Sequence, residues 1–169
     1  MENKVNNKGD GNYIAGRDIN LIYPTNEAIF SPTIMAEIID AVYNEVSEHS
    51  DLEDFDRPKI EEKNSINGIS ADFFNDVIKE CYDEFFKIDN FLKNPENSQY
   101  QRKYAAIVKE INGFVFAKVA SGEMLQSILP TLLNYAKTKI GMFDSEKGYW
   151  LQVFSYYMYV NCDIGKKKW

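Results

Sequence analysis

The amino-acid sequence predicts a mainly α-helical protein, a bundle of about five helices preceded by a short N-terminal β-hairpin or strand pair. Two observations carry that expectation. From residue 31 to residue 160, apolar side chains recur three and four positions apart, the period of helices that each bury a face. Before residue 23 that period is missing, and Gly and Asn residues punctuate short apolar pairs instead. The chain accordingly divides into a strand motif with its linker, residues 1–30, and a helical domain, residues 31–169.

The N-terminal segment reads Gly9-Asp10-Gly11-Asn12-Tyr13-Ile14-Ala15-Gly16-Arg17-Asp18-Ile19-Asn20-Leu21-Ile22. Gly9 to Asn12 and Gly16 to Asn20 each lead into apolar β-formers, as two short strands joined by a turn would. Asp10, Arg17 and Asp18 nearly balance in charge, and Asn12 and Asn20 can ladder with identical neighbours. An isolated two-stranded hairpin is marginal in water, so its backbone groups call for the protein body, another subunit or stacked copies. The alternative is a passive tail. A phosphate-loop reading of Gly9, Gly11 and Gly16 fails, because no Lys-Ser/Thr follows and no helix opens at the required place.

Ser31-Pro32 is a capping residue with proline at the first helical position, and Ile34, Ile38, Ile39, Val42, Tyr43 and Val46 then mark a helix to about residue 48. Charge and proline in Asp51-Leu52-Glu53-Asp54-Phe55-Asp56-Arg57-Pro58 break the pattern, and the polar run to Gly68 reads as a long surface loop. Ser70 caps a second helix whose wide stripe, from Phe73 and Phe74 through Tyr82, Phe85 and Phe86 to Leu92, implies burial on more than one side. Asn94-Pro95 ends it. A third helix carries Tyr104, Ile107, Val108, Ile111, Phe114 and Val115 and stops at Ser121-Gly122. A fourth, over about 123–140, contains Pro130, which is expected to kink it or split off its first turn. Gly141 suits a helix end, and Ser145 caps a fifth helix bearing Trp150, Phe154, Tyr157 and Val160. Tyr156, Tyr157 and Tyr159 point in different directions around that helix. At least one is expected to face outward and mark a protein contact.

A chain of 169 residues with 44% hydrophobic and 14% aromatic side chains can bury a substantial core. Its net charge of −7 argues against nucleic acid as the main ligand, and Lys166-Lys167-Lys168 reads as a solvated tail. No uninterrupted apolar run of about 18 residues occurs, and the first residues lack a signal-peptide core, so no membrane partner and a cytoplasmic location are expected. Cys81 and Cys162 sit in apolar patterns that suit buried, reduced thiols.

Catalytic chemistry is sparse. His49 is the single histidine and cannot build a His-based zinc site, and no CxxC spacing exists. Asp51, Glu53, Asp54 and Asp56 alternate as in a calcium loop but lack its glycine and closing glutamate. Asp56 with Glu61-Glu62-Lys63 superficially matches a nuclease pattern, yet lies in a polar loop without apolar strands around it. No catalytic residue, metal site or cofactor is therefore expected. The alternative is a small metal-dependent hydrolase using the acidic loop 51–63.

The segment Gly9 to Asn20 resembles the short β-strand motifs, related to amyloid-signalling motifs, found at effector and adaptor junctions in bacterial conflict systems. Residues 32–160, with the proline-bounded polar segment Arg57-Pro58-Lys59-Ile60-Glu61-Glu62-Lys63-Asn64, are similar in layout to the C-terminal domain of ABC three-component systems. The resemblance implies a domain that couples a variable effector to a small middle component and an ABC-type ATPase. With no effector domain attached, the implied role is a freestanding coupling or sensing subunit. The expectation is a non-enzymatic adaptor of an antiphage or conflict system, homo-oligomeric, with protein partners. Asn12, Tyr13, Ile14, Arg17, Asp18, Ile19, Asn20 and Leu21 are expected to carry assembly.

Overall fold

The computed structural model describes residues 30–44, 59–140 and 145–166, all helical or connecting and with no strand among them. The strand pair expected before residue 23 lies outside the described residues.

Ser31 opens α1, Pro32–Tyr43, its hydroxyl accepting from the Ile34 amide at 3.4 Å, and Met35, Ile38 and Ile39 are buried. The next element corrects the sequence reading. Where a long surface loop was expected up to Gly68, residues Ile60–Asn67 form a helix, α2. Glu61 and Glu62 complement the positive end of its dipole. At its other end Gly68 takes φ 66°, and the Gly68 and Ile69 amides reach back to the Ser65 and Asn64 carbonyls as a Schellman motif. Polar residues hid this helix, because its buried side chains are Lys63 and Asn67 rather than apolar ones.

Ser70 caps the following helical stretch through its hydroxyl, 3.1 Å from the Phe73 amide. One α-turn, α3 (Ala71–Phe73), widens into a π turn at Phe74–Ile78, tightens into a 3₁₀ turn at Lys79–Cys81 and continues as α4, Tyr82–Lys93. Asn94, extended ahead of Pro95, stops it. The remaining helices are α5 (Ser98–Ala120), α6 (Leu125–Ile140) and α7 (Ser145–Val160). Pro130 does not split off the first turn of α6, which runs through it as one element.

The core is organised around α7, which packs against α1, α4 and α6. Every residue from Tyr149 to Tyr159 is buried. Tyr156, Tyr157 and Tyr159 are therefore all inside, contrary to the expectation that one faces outward. Helices cover α7 on several sides, so direction around its axis does not decide exposure. Phe30 stacks edge-on against Trp150 with ring centres 5.0 Å apart, and Tyr104 of α5 does so against Phe154 at 5.7 Å. Lys103–Asp40 and Lys147–Glu37 pairs tie α1 to α5 and α7. Both cysteines are free and buried, as expected. Cys162, however, occupies the turn after α7 with φ 65° instead of a helical position. Among the described residues, no helix is long and apolar enough to cross a membrane.

Candidate protein-interaction surface

Apart from Ile60, which packs against the apolar core, α2 is held by polar contacts. Lys63 is completely buried, its ammonium donating to the Tyr159 carbonyl and lying 4.1 Å from the centre of the Tyr159 ring. The Tyr159 hydroxyl donates to Asn64 Oδ1 at 2.7 Å. Asn67 Nδ2 donates to the Lys63 and Lys166 carbonyls, both at 2.8 Å, while its Oδ1 accepts from the Lys166 amide at 2.7 Å. On the opposite side, Asn112 of α5 donates to the Asp163 carbonyl at 2.6 Å and accepts from the Gly165 amide at 3.0 Å. Tyr104 and Asn161 both donate to the Asp163 carboxylate. Residues 161–166 are thus clamped between α2 and α5, with two asparagine side chains serving as the backbone partners that an irregular segment lacks.

This clamp seats α2 so that Glu61 lies close enough to Tyr82 of α4 to help raise the pKa of its phenol, after burial as the larger cause. Tyr82, 36% exposed, is one turn before Phe86, 59% exposed. The Tyr82 ring packs edge-on against Phe74 at 6.0 Å and tilted against Phe85 at 5.3 Å, which fixes its position. Around this pair the outward side of α3 to α4 carries exposed Asp76, Lys79, Glu80, Asp83 and Asn90. Exposed Glu61 borders it on α2. The result is an aromatic ridge in a mostly acidic surround. A second exposed apolar group, Phe114, Phe116 and Met124, lies at the end of α5 and the turn after it.

The sequence pattern placed Tyr82, Phe86 and Phe114 in buried stripes, and the structure corrects this. The signal for Phe86 was present: Asp83 three residues before it and Asn90 four after it share its helical face. The strand residues Asn12, Tyr13, Ile14, Arg17, Asp18, Ile19, Asn20 and Leu21 lie outside the described residues, as do His49 and Asp51 to Asp56. Glu61 and Lys63, adjacent in the nuclease-like pattern, are separated by the fold, Glu61 exposed and Lys63 buried against Tyr159. Among the described residues, no group of three or more His, Cys, Asp or Glu side chains is placed to hold a metal ion. Burial, reinforced by Glu84 and Glu80, pushes the Cys81 thiol up to about 12, which keeps it protonated and a poor nucleophile at neutral pH.

The sequence model of C-terminal domain 12 (CTD12) of the ABC-three component (ABC-3C) systems matches residues 25–165. No curated protein and no solved structure matches the chain. The match spans every described helix and the clamped segment up to Gly165, and on that extent the chain belongs to the CTD12 family of ABC-3C systems.

Proposed function

We propose that this protein is a non-enzymatic adaptor of a bacterial antiphage or conflict system, coupling an effector to an ABC-type ATPase component. Membership of the ABC-3C family makes it a component of a conflict system, and such systems contain ABC-type ATPases. The observation that favours recognition over catalysis is the pairing of exposed Tyr82, its ring packed against Phe74 and Phe85, and exposed Phe86 with the structural use of Lys63, Tyr104 and Asp163. In this reading the helical bundle binds a protein partner. The N-terminal segment pairs strand to strand, with a cognate motif or with copies of itself, through the apolar and Asn positions of residues 12–21.

Light scattering tests the assembly half. Full-length protein is expected to form a defined oligomer, and a version lacking residues 1–23 to fall to a folded monomer. Ile19→Asp and Asn20→Asp are expected to weaken assembly. Equal mass for the full-length and shortened proteins, with strand-motif variants that assemble as the parent does, rules out self-assembly through this motif.

A further inference from the structure

We propose that the Tyr82–Phe86 ridge with its carboxylate surround is the docking site for a lysine- or arginine-rich amphipathic helix of a partner protein. This deepens the adaptor reading above by naming the chemistry of the partner, and it rests on that reading.

The argument begins with charge. Asp76, Glu80 and Asp83 on the α3–α4 side and Glu61 on α2 are exposed around the ridge, with Lys79 as an exposed cation among them. A partner presenting cations is drawn to such a face and oriented by it, whereas nucleic acid or an acidic peptide is repelled. A second copy docking by this same face would set the same carboxylates against one another, because a two-fold interface pairs each patch with itself. The N-terminal segment of this chain offers no net positive charge either, since Lys4, Lys8 and Arg17 are offset by Glu2, Asp10, Asp18 and Glu27.

The aromatic pair supplies the anchor. Tyr and Phe rings bury large area at low entropic cost, and their faces attract ammonium and guanidinium groups. Lys87, paired with Glu84, holds its Nζ 6.0 Å from the centre of the Phe86 ring and 5.7 Å from that of Trp150, so a cation is already accommodated beside the ridge. A basic partner can therefore satisfy the ring faces and the carboxylates together. The spacing selects a helix: Tyr82 and Phe86 are one helical turn apart, a separation that apolar side chains at i and i+4 of a facing helix reproduce. No strand edge exists among the described residues for an extended peptide to join.

Isothermal titration of full-length protein tests this. The probe is an 18-residue amphipathic peptide with leucine on one face and lysine on the other, set against its glutamate counterpart. The lysine peptide is expected to bind with one-to-one stoichiometry and to weaken as salt rises, and the glutamate peptide not to bind. Asp83→Lys and Phe86→Ser are each expected to weaken binding about 10-fold or more, the scale of a hot-spot loss. Glu96→Lys, the same charge change at an exposed site beyond the end of α4, is expected to change it less than about 2-fold, the scale of a rim contact. If Glu96→Lys weakens binding as much as Asp83→Lys, the attraction is only that of net charge and the proposal fails. An unaltered affinity in Phe86→Ser also overturns it, provided circular dichroism shows the variant folded. If the parent binds nothing while a version lacking Lys167, Lys168 and Trp169 binds, the chain's own tail covers the ridge and an external helix is not its partner. Binding by neither version overturns the proposal as well. None of these outcomes alters the mass comparison above, so failure of the docking site is distinguishable from failure of the adaptor reading.

Discussion

Asn67→Ala is expected to be among the most damaging single truncations of a polar side chain in this protein. The Asn67 amide makes three hydrogen bonds of 2.7 to 2.8 Å, two of them to the backbone of Lys166, and is itself buried. At a net contribution of about 1 kcal/mol per bond, the loss is about 3 kcal/mol, with the Lys166 amide and carbonyl left without the partner they had. Against a typical domain stability of about 5–15 kcal/mol this is a large fraction, and it corresponds to roughly 6–12 °C in Tm at this chain length. Urea unfolding followed by tryptophan fluorescence measures it, since Trp150 is completely buried in α7. Asn112→Ala removes two bonds on the other side of the same segment and is expected to cost about 2 kcal/mol. Because both residues hold residues 161–166, releasing one end reduces what the other can contribute. The double variant is therefore expected to lose at least about 0.5 kcal/mol less than the two single losses combined. A loss below about 1 kcal/mol for Asn67→Ala, or strict additivity in the double variant, would refute the clamp as the device that seats α2.

Gly165→Ala should be strained twice, because Gly165 has φ 88° and an added Cβ would lie 2.8 Å from Asn67 Oδ1; a cost of about 2 kcal/mol in urea unfolding is expected. Tyr156→Phe should be neutral or stabilising by up to about 1 kcal/mol, because the buried Tyr156 hydroxyl finds no hydrogen-bond partner among the described residues. The contribution of the buried thiol and phenols to stability should be level below about pH 9 and fall above it. Unfolded Cys and Tyr release protons at their ordinary values of 9 and 10, whereas burial holds Cys81 and Tyr149 protonated to about 12 and Tyr104 well above the usual range. The unfolded state then binds fewer protons, so each such group costs about 1.4 kcal/mol per pH unit across the interval; urea midpoints at pH 8 and 10.5 that coincide would contradict this. Titration with magnesium or manganese should show no binding; heat that disappears in Asp54→Ala/Asp56→Ala would revive the hydrolase alternative.

Local order was legible in the sequence wherever the determinant is local. Ser31 and Ser70 cap as the sequence indicates, Asn94-Pro95 ends α4, and the apolar period locates α1 and α5 to α7, because capping and helical period depend on residues within a turn or two. What lies opposite each face was not legible. Tyr156, Tyr157 and Tyr159 are all inside because α7 is covered on several sides, while Phe86, in an equally apolar stripe, is outside because none of the described elements covers it. The most polar helix, α2, carried no periodic signal, because it is fastened by Lys63, Asn64 and Asn67 to Tyr159 and Lys166, nearly one hundred residues later in the chain. A buried lysine or asparagine looks solvated in sequence. Only the tertiary structure supplies the carbonyl, amide and ring that make its burial affordable, and with it the placement of Glu61 beside the Tyr82–Phe86 ridge.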